Sequence, residues 1–325
     1  MFLQRRMRRV RSRTIQPLLC ETILTRNDLV APLFVDETAG APVPIGSMPG
    51  QSRYPIDGIA AVAGKFWEHG IRAVLLFGVP AHKDEAATSA YDPGGVVQQA
   101  VRKIKTAYPG MVVITDVCAC EYTSHGHCGI VGDSRCGGQD LLNDESLLLM
   151  NKIAVSHAEA GADIVAPSCM LDGMVRSIRT ALDEDGYEEV LILSYSTKFS
   201  SALYGPFREA AESGYSFGDR TTYQMNPANG REAFLESQLD MEEGADILMV
   251  KPAGPYLDVL AEIATLGLPV AAFQVSGEYA MIKAAAERGW IKEKETVIEM
   301  LTCIKRAGAD LIITYFAYDA CGWLE

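Results

Sequence analysis

The sequence predicts a (β/α)8 barrel preceded by an extended N-terminal arm. Three observations carry this reading. Eight short runs rich in Val, Ile and Leu recur along the 325 residues. Most are continuously apolar rather than alternating, the pattern of parallel strands covered on both faces. Segments with helical spacing lie between them, and several stop at a glycine just before the next run, at Gly70, Gly161, Gly244 and Gly308. A doubly wound open sheet is the alternative. It is weakened because no Gly-x-Gly-x-x-Gly follows the first strand.

The strands are expected at 29–35, 72–78, 111–117, 163–168, 190–195, 246–252, 269–275 and 310–316. Helices are expected at 94–108, 147–159, 175–182, 232–243, 256–265, 279–288 and 295–305, with a very short one closing the set. Three junctions share a phrase, AGADI at 160–164, EGADIL at 243–248 and AGADLI at 307–312. Each reads as a helix stop, a tight turn and the start of a strand. No linker interrupts the series, so residues 1–27 are read as an arm and 28–325 as one barrel domain.

Composition narrows the function. Hydrophobic residues make up 48% and charged residues 22%, as in globular proteins, and no apolar run reaches the length of a membrane span. The net charge of −13 argues against nucleic acid or an anionic membrane as partner. The arm is locally basic, with Arg5, Arg6, Arg8, Arg9, Arg11 and Arg13 ahead of the first acid, Glu21. No apolar core follows these arginines, so the segment is not read as a secretory signal. Eight cysteines are too few for a disulfide scaffold of this length. A reducing, cytoplasmic compartment is expected.

Active sites of such barrels lie at the C-terminal ends of the strands. Reactive residues gather there: Asp116 at the end of strand three with Cys118 following, Ser168 at the end of strand four, Tyr195 ending strand five with Lys198 beyond it. Lys251 stands in strand six, Ser276 follows strand seven and Tyr315 lies in strand eight. A lysine inside an apolar strand is costly to keep charged. Desolvation lowers its pKa, and the free amine is a nucleophile toward carbonyls. A second lysine at the same rim, Lys198, is expected to depress both values. The segment DVCACEYTSHGHCG at 116–129 places Cys118, Cys120 and Cys128 in one loop. Three thiolates suit Zn²⁺ and leave a fourth position open, with His125 and His127 as alternative ligands or outer hydrogen-bond partners. Arg208, Arg220 and Gln224 offer carboxylate-binding groups.

The stretches TDVCACEYTSHGHCG, APSCMLDG, SYSTKFSSALYGPFREA, GDRTTYQMNP, LMVKPAGPYLD, QVSGEYAMI and KRAGADLIITYF together resemble the porphobilinogen synthase (5-aminolevulinate dehydratase) family. LFGVP and SMPG extend the likeness over nearly the whole chain. The resemblance implies a lyase, a hydro-lyase of heme and wider tetrapyrrole biosynthesis. Such an enzyme joins two molecules of 5-aminolevulinate to porphobilinogen with loss of two waters.

It further implies that Lys251 forms the Schiff base in the first substrate site and that Lys198 serves the second. Ser276 and Tyr315 bind one substrate carboxylate, while Arg208, Arg220 and Gln224 on a mobile lid bind the other. Asp116 and Ser168 manage protons and orientation, and Tyr195 and Phe207 line the pocket. Cys118, Cys120 and Cys128 match the ligands of the zinc-dependent branch. An allosteric Mg²⁺ at Glu232 and a homo-octamer held by the arm are also implied. Thr222 stands where some animal members carry a cysteine, and Cys136 has no assigned place. A class I Schiff-base aldolase shares the barrel and the lysine but needs no cysteine loop.

Overall fold

The computed structural model describes residues 4–134 and 137–324, so Cys136 lies outside the described residues. The barrel strands are β1 (Leu29–Asp36), β2 (Ala73–Val79), β3 (Val112–Val117), β4 (Ile164–Pro167), β5 (Leu191–Lys198), β6 (Ile247–Lys251), β7 (Val270–Gln274) and β8 (Leu311–Thr314). Each pairs in parallel with the next, and β8 closes on β1 through Leu29 opposite Ile312. The eight expected runs are the eight strands. Their side chains are almost entirely buried, which explains the absence of alternation.

Helices cover the outside by their apolar stripes. In Val96–Ala107 the buried apolar positions are Val96, Val97, Ala100, Val101 and Ile104; in Glu293–Arg306 they are Val297, Leu301 and Ile304. Both sets follow helical spacing. Several helices depart from expectation. Ile59–Glu68 precedes β2 and Gly205–Ala210 follows β5, while Asn143–Glu159 begins four residues early and Ser276–Glu287 three residues early, just after β7. The closing helix, Ala317–Trp323, is as short as expected.

The repeated GAD phrase has a structural cause. Gly161, Gly244 and Gly308 all have φ above +100°, a conformation that penalises any Cβ. The aspartate that follows each one starts an even-numbered strand and accepts a backbone N–H from the strand before it. Asp163 accepts from Val113, Asp246 from Ile192 and Asp310 from Val270, at 2.8, 2.8 and 2.9 Å. The backbone N–H of each aspartate returns a bond to the same partner residue. These clasps sit at the end of the barrel opposite the reactive rim.

Before Leu29 no described residue is buried. The arm carries a short helix, Met7–Val10, and exposes Leu18 (80%) and Ile23 (70%). A loop hairpin, Val131–Asp133 with Gln139–Leu141, stands beside the cysteine loop that follows β3. No helix among the described residues is long and apolar enough to cross a membrane.

Candidate active site

Lys198 and Lys251 stand opposite each other in register on adjacent strands. A bulge brings them there. Leu248 pairs with Ser194, but Val250 pairs with Thr197, so β5 carries one extra residue. Without it Thr197 would oppose Lys251. The side chains show the effect: Ser194 and Thr197 bond outward to Asp240 and Ser237 of helix Gly230–Glu243. Tyr195 and Lys198, three apart, both face inward, where the Tyr195 ring lies 4.9 Å from Lys251 Nζ and 5.5 Å from Lys198 Nζ. The expected end of strand five at Tyr195 is therefore corrected. The strand continues through the bulge, and Lys198 is its last residue.

The two lysines differ in charge state. Burial, then the Lys198 ammonium, pulls Lys251 down to about 7. Its Nζ lies in an aromatic box, 4.1 Å from the ring of Phe273, 5.2 Å from Phe207 and 5.5 Å from Tyr204. Lys198 moves the other way. Burial lowers it, but Cys128, Cys118 and Asp116 together outweigh burial and raise it. Its ammonium donates to the Ser168 carbonyl at 2.5 Å. The expectation of mutual depression is corrected: negative neighbours keep Lys198 charged, and that charge helps to neutralise Lys251.

Asp116 is buried beside both lysines, and burial raises its pKa. One carboxylate oxygen accepts from the Ser168 hydroxyl at 3.2 Å. The other, with the Tyr195 and Tyr315 hydroxyls, is buried without a hydrogen-bond partner among the described residues. Tyr315 lies one residue past the end of β8 rather than within it. Burial raises its phenol as well.

The cysteines form one buried cluster. Cys118 and Cys120 sulfurs are 3.2 Å apart, and the Cys120 backbone N–H points at Cys118 Sγ from 3.4 Å. Cys118 links two groups of donor atoms that each lie within 4.8 Å of one another. One is Cys118, Cys128 and Cys169; the other is Cys118, Cys120 and Glu121. Hydrogen bonds from Cys118, then Cys120 and Cys169, hold the Cys128 thiol well below its ordinary value. Burial keeps Cys118 high. Among the described residues neither histidine of the loop joins these groups. His127 instead meets the Tyr223 hydroxyl at 3.3 Å, and that hydroxyl donates to Cys128 Sγ at 3.7 Å.

Residues 199–226, the segment expected to form a lid, pack against the cysteine loop. Arg220 is buried and bonds the carbonyls of Gly126 and Ser213 at 2.9 Å each, tying the lid to the cysteine loop. The Nε atoms of Arg208 and Arg220 and the Nε2 of Gln224 are buried donors without partners among the described residues. Ser276 is engaged by the lid. It accepts from the Phe207 backbone N–H at 3.0 Å and donates to the Leu203 carbonyl at 3.3 Å. Glu232 lies apart. It is exposed at the start of helix Gly230–Glu243, and its carboxylate accepts from Asn229 at 3.1 Å.

The family model for delta-aminolevulinic acid dehydratase matches residues 4–323. The chain belongs to the delta-aminolevulinic acid dehydratase family. It is 52% identical to the delta-aminolevulinic acid dehydratase of Archaeoglobus fulgidus over 321 residues, covering 98% of each chain. The Bacillus subtilis counterpart is 50% identical, again over 98% of each. Among solved structures, the Toxoplasma gondii delta-aminolevulinic acid dehydratase (porphobilinogen synthase) in complex with the reaction product porphobilinogen superposes with a TM-score of 0.95. That pair is 44% identical and covers 99% of this chain and 92% of the other. Membership of the dehydratase family sets the aldolase alternative aside.

Two buried residues of this dehydratase-family site were missed from sequence. Glu121, pushed up to about 7 by burial and then by Asp116, lies within 4.8 Å of the Cys118 and Cys120 sulfurs. It was hidden in plain view within CACEYT. Cys169 arrives from the end of β4, and only the fold brings it to the loop after β3.

Proposed function

We propose that this chain condenses two molecules of 5-aminolevulinate into porphobilinogen with the loss of two waters, as a lyase of tetrapyrrole biosynthesis. One observation carries the reading. A lysine with pKa lowered to about 7 faces a second lysine, in register, inside a closed barrel of this family. The free amine of Lys251 attacks the ketone of the first substrate. Water leaves and an iminium remains, which acidifies the neighbouring carbon. Asp116, buried and bonded to Ser168, is suited to take and return that proton. Lys198 stays an ammonium and serves the second substrate.

The unpartnered donors support the assignment of binders. Tyr315 receives the carboxylate of the first substrate, with Ser276, whose hydroxyl here bonds Phe207 and Leu203, as the second binder. Arg208, Arg220 and Gln224 receive that of the second as the lid closes. Tyr195 and Phe207 wall the pocket around Lys251. The buried sulfur set of Cys118, Cys120 and Cys128 fits Zn²⁺, whose preference is for thiolate and imidazole. Bound there, zinc supplies Lewis acidity toward a substrate oxygen.

We read Glu232 as a ligand of an allosteric Mg²⁺ shared between subunits, supported by its exposure on a helix start. The arm of residues 1–27, with apolar side chains turned to solvent, supports assembly into a homo-octamer. The seven described cysteines are free thiols, which favours a cytoplasmic setting.

The test is incubation of the zinc-loaded protein with 5-aminolevulinate, followed by the colour reaction for porphobilinogen. Colour proportional to enzyme is expected. A folded, metal-loaded protein that leaves the substrate untouched overturns the reading.

A further inference from the structure

The sulfur cluster holds one thiol more than the site above uses. Cys169 follows Ser168 at the end of β4 and is fully buried. Its Sγ and those of Cys118 and Cys128 all lie within 4.8 Å of one another. Thiolates on a tetrahedral Zn²⁺ sit at about 2.3 Å from the metal, which puts neighbouring sulfurs about 3.7 Å apart. Each pair in the trio therefore needs to close by about 1 Å or less, within the reach of a χ1 adjustment. Nothing strong holds the Cys169 thiol where it is. Besides the Cys118 and Cys128 sulfurs, its neighbours are the Met150 thioether at 3.4 Å and the Val117 carbonyl at 3.7 Å. Both are weak partners for S–H. A loop of three cysteines is already sufficient for a catalytic zinc, so a fourth buried sulfur at its edge calls for a role.

We propose that Cys169 is a fourth sulfur ligand of the metal in the substrate-free protein, alongside Cys118, Cys120 and Cys128. The inference rests on the reading of that cluster as a metal site. Four thiolates close the tetrahedron, so a substrate oxygen reaches the ion only when one sulfur withdraws. Cys169 is the ligand free to do so. It stands on a different strand end from the other three, and the space beside Met150 and Val117 receives it. Its backbone is also tied to the chemistry, since the carbonyl just before it accepts the Lys198 ammonium.

The experiment is X-ray absorption at the zinc edge on the full-length, substrate-free protein and on Cys169→Ser, with zinc affinity measured by chelator competition. Four sulfurs are expected in the parent. Three sulfurs and one lighter atom are expected in the variant, with affinity reduced at least tenfold. Three sulfurs in the parent overturns the role of Cys169 and leaves the three-cysteine site standing. The absence of sulfur around the zinc overturns both readings. The parent measurement decides by itself if Cys169→Ser does not fold.

Discussion

Burial and the Lys198 charge oppose the proton on Lys251, which supports its proposed role as the nucleophile. At pKa about 7, roughly half of the molecules carry the free amine at neutral pH. An ordinary lysine at about 10.4 carries it in roughly one molecule in 2,500. The amine is the reactive form, so adduct formation should rise with pH through about 7 and level off above it. An unperturbed lysine would keep gaining up to about pH 10. Borohydride trapping of labelled 5-aminolevulinate across pH 5–10 checks this. The stable adduct should map to Lys251. Lys251→Ala should lose essentially all activity and trapping, and Lys251→Arg should not restore them, because a guanidinium stays protonated. For the thiols, chelation should abolish activity and added zinc restore it, while Pb²⁺ should inhibit strongly through the same sulfurs. Activity that survives exhaustive chelation would contradict a catalytic zinc.

At the scale of elements, the three GAD junctions act as clasps between strand pairs. Asp246→Ala leaves the Ile192 N–H without its acceptor at the start of β5. The expected loss is about 1–3 kcal/mol in denaturant unfolding, with little change in turnover of the folded enzyme because the clasp is at the far end of the barrel. A large fall in kcat at unchanged stability would argue against this division of labour. The junctions were readable because turn chemistry is local: a glycine in the left-handed region, then an acid beside free N–H groups. The bulge in β5 was not readable. SYSTK contains no glycine or proline to mark it, and its existence depends on how β5 pairs with β6. That single extra residue decides whether Lys198 or Thr197 enters the barrel.

On the scale of the whole molecule, the arm touches the barrel near its end, where Leu24 packs on the core and Arg26 donates to the Leu324 carbonyl. Leu18 and Ile23 are mostly solvent-exposed, a poor arrangement for an isolated chain and a good one for packing on a neighbour. Removal of residues 1–13 should yield smaller oligomers and weaker activity, measured by light scattering and by porphobilinogen formation. An unchanged particle mass would make the arm a tail. Glu232→Ala should abolish stimulation by Mg²⁺ while the zinc content stays the same.

Read alone, the chain determined the barrel and its strand order, and it pointed to residues that the fold gathers at one rim. These are written in local patterns: apolar runs, glycine stops, a cysteine loop and lysines at strand ends. The tertiary structure decided what depends on distance through space. It split the charge states of Lys198 and Lys251, because thiols and a carboxylate from β3 and its loop surround one and aromatic rings surround the other. It committed the Ser276 hydroxyl to the lid and brought Cys169 from β4 to the sulfurs that follow β3. No short window of sequence contains these effects, since each is set by the burial and electrostatic field that distant segments create when they pack together.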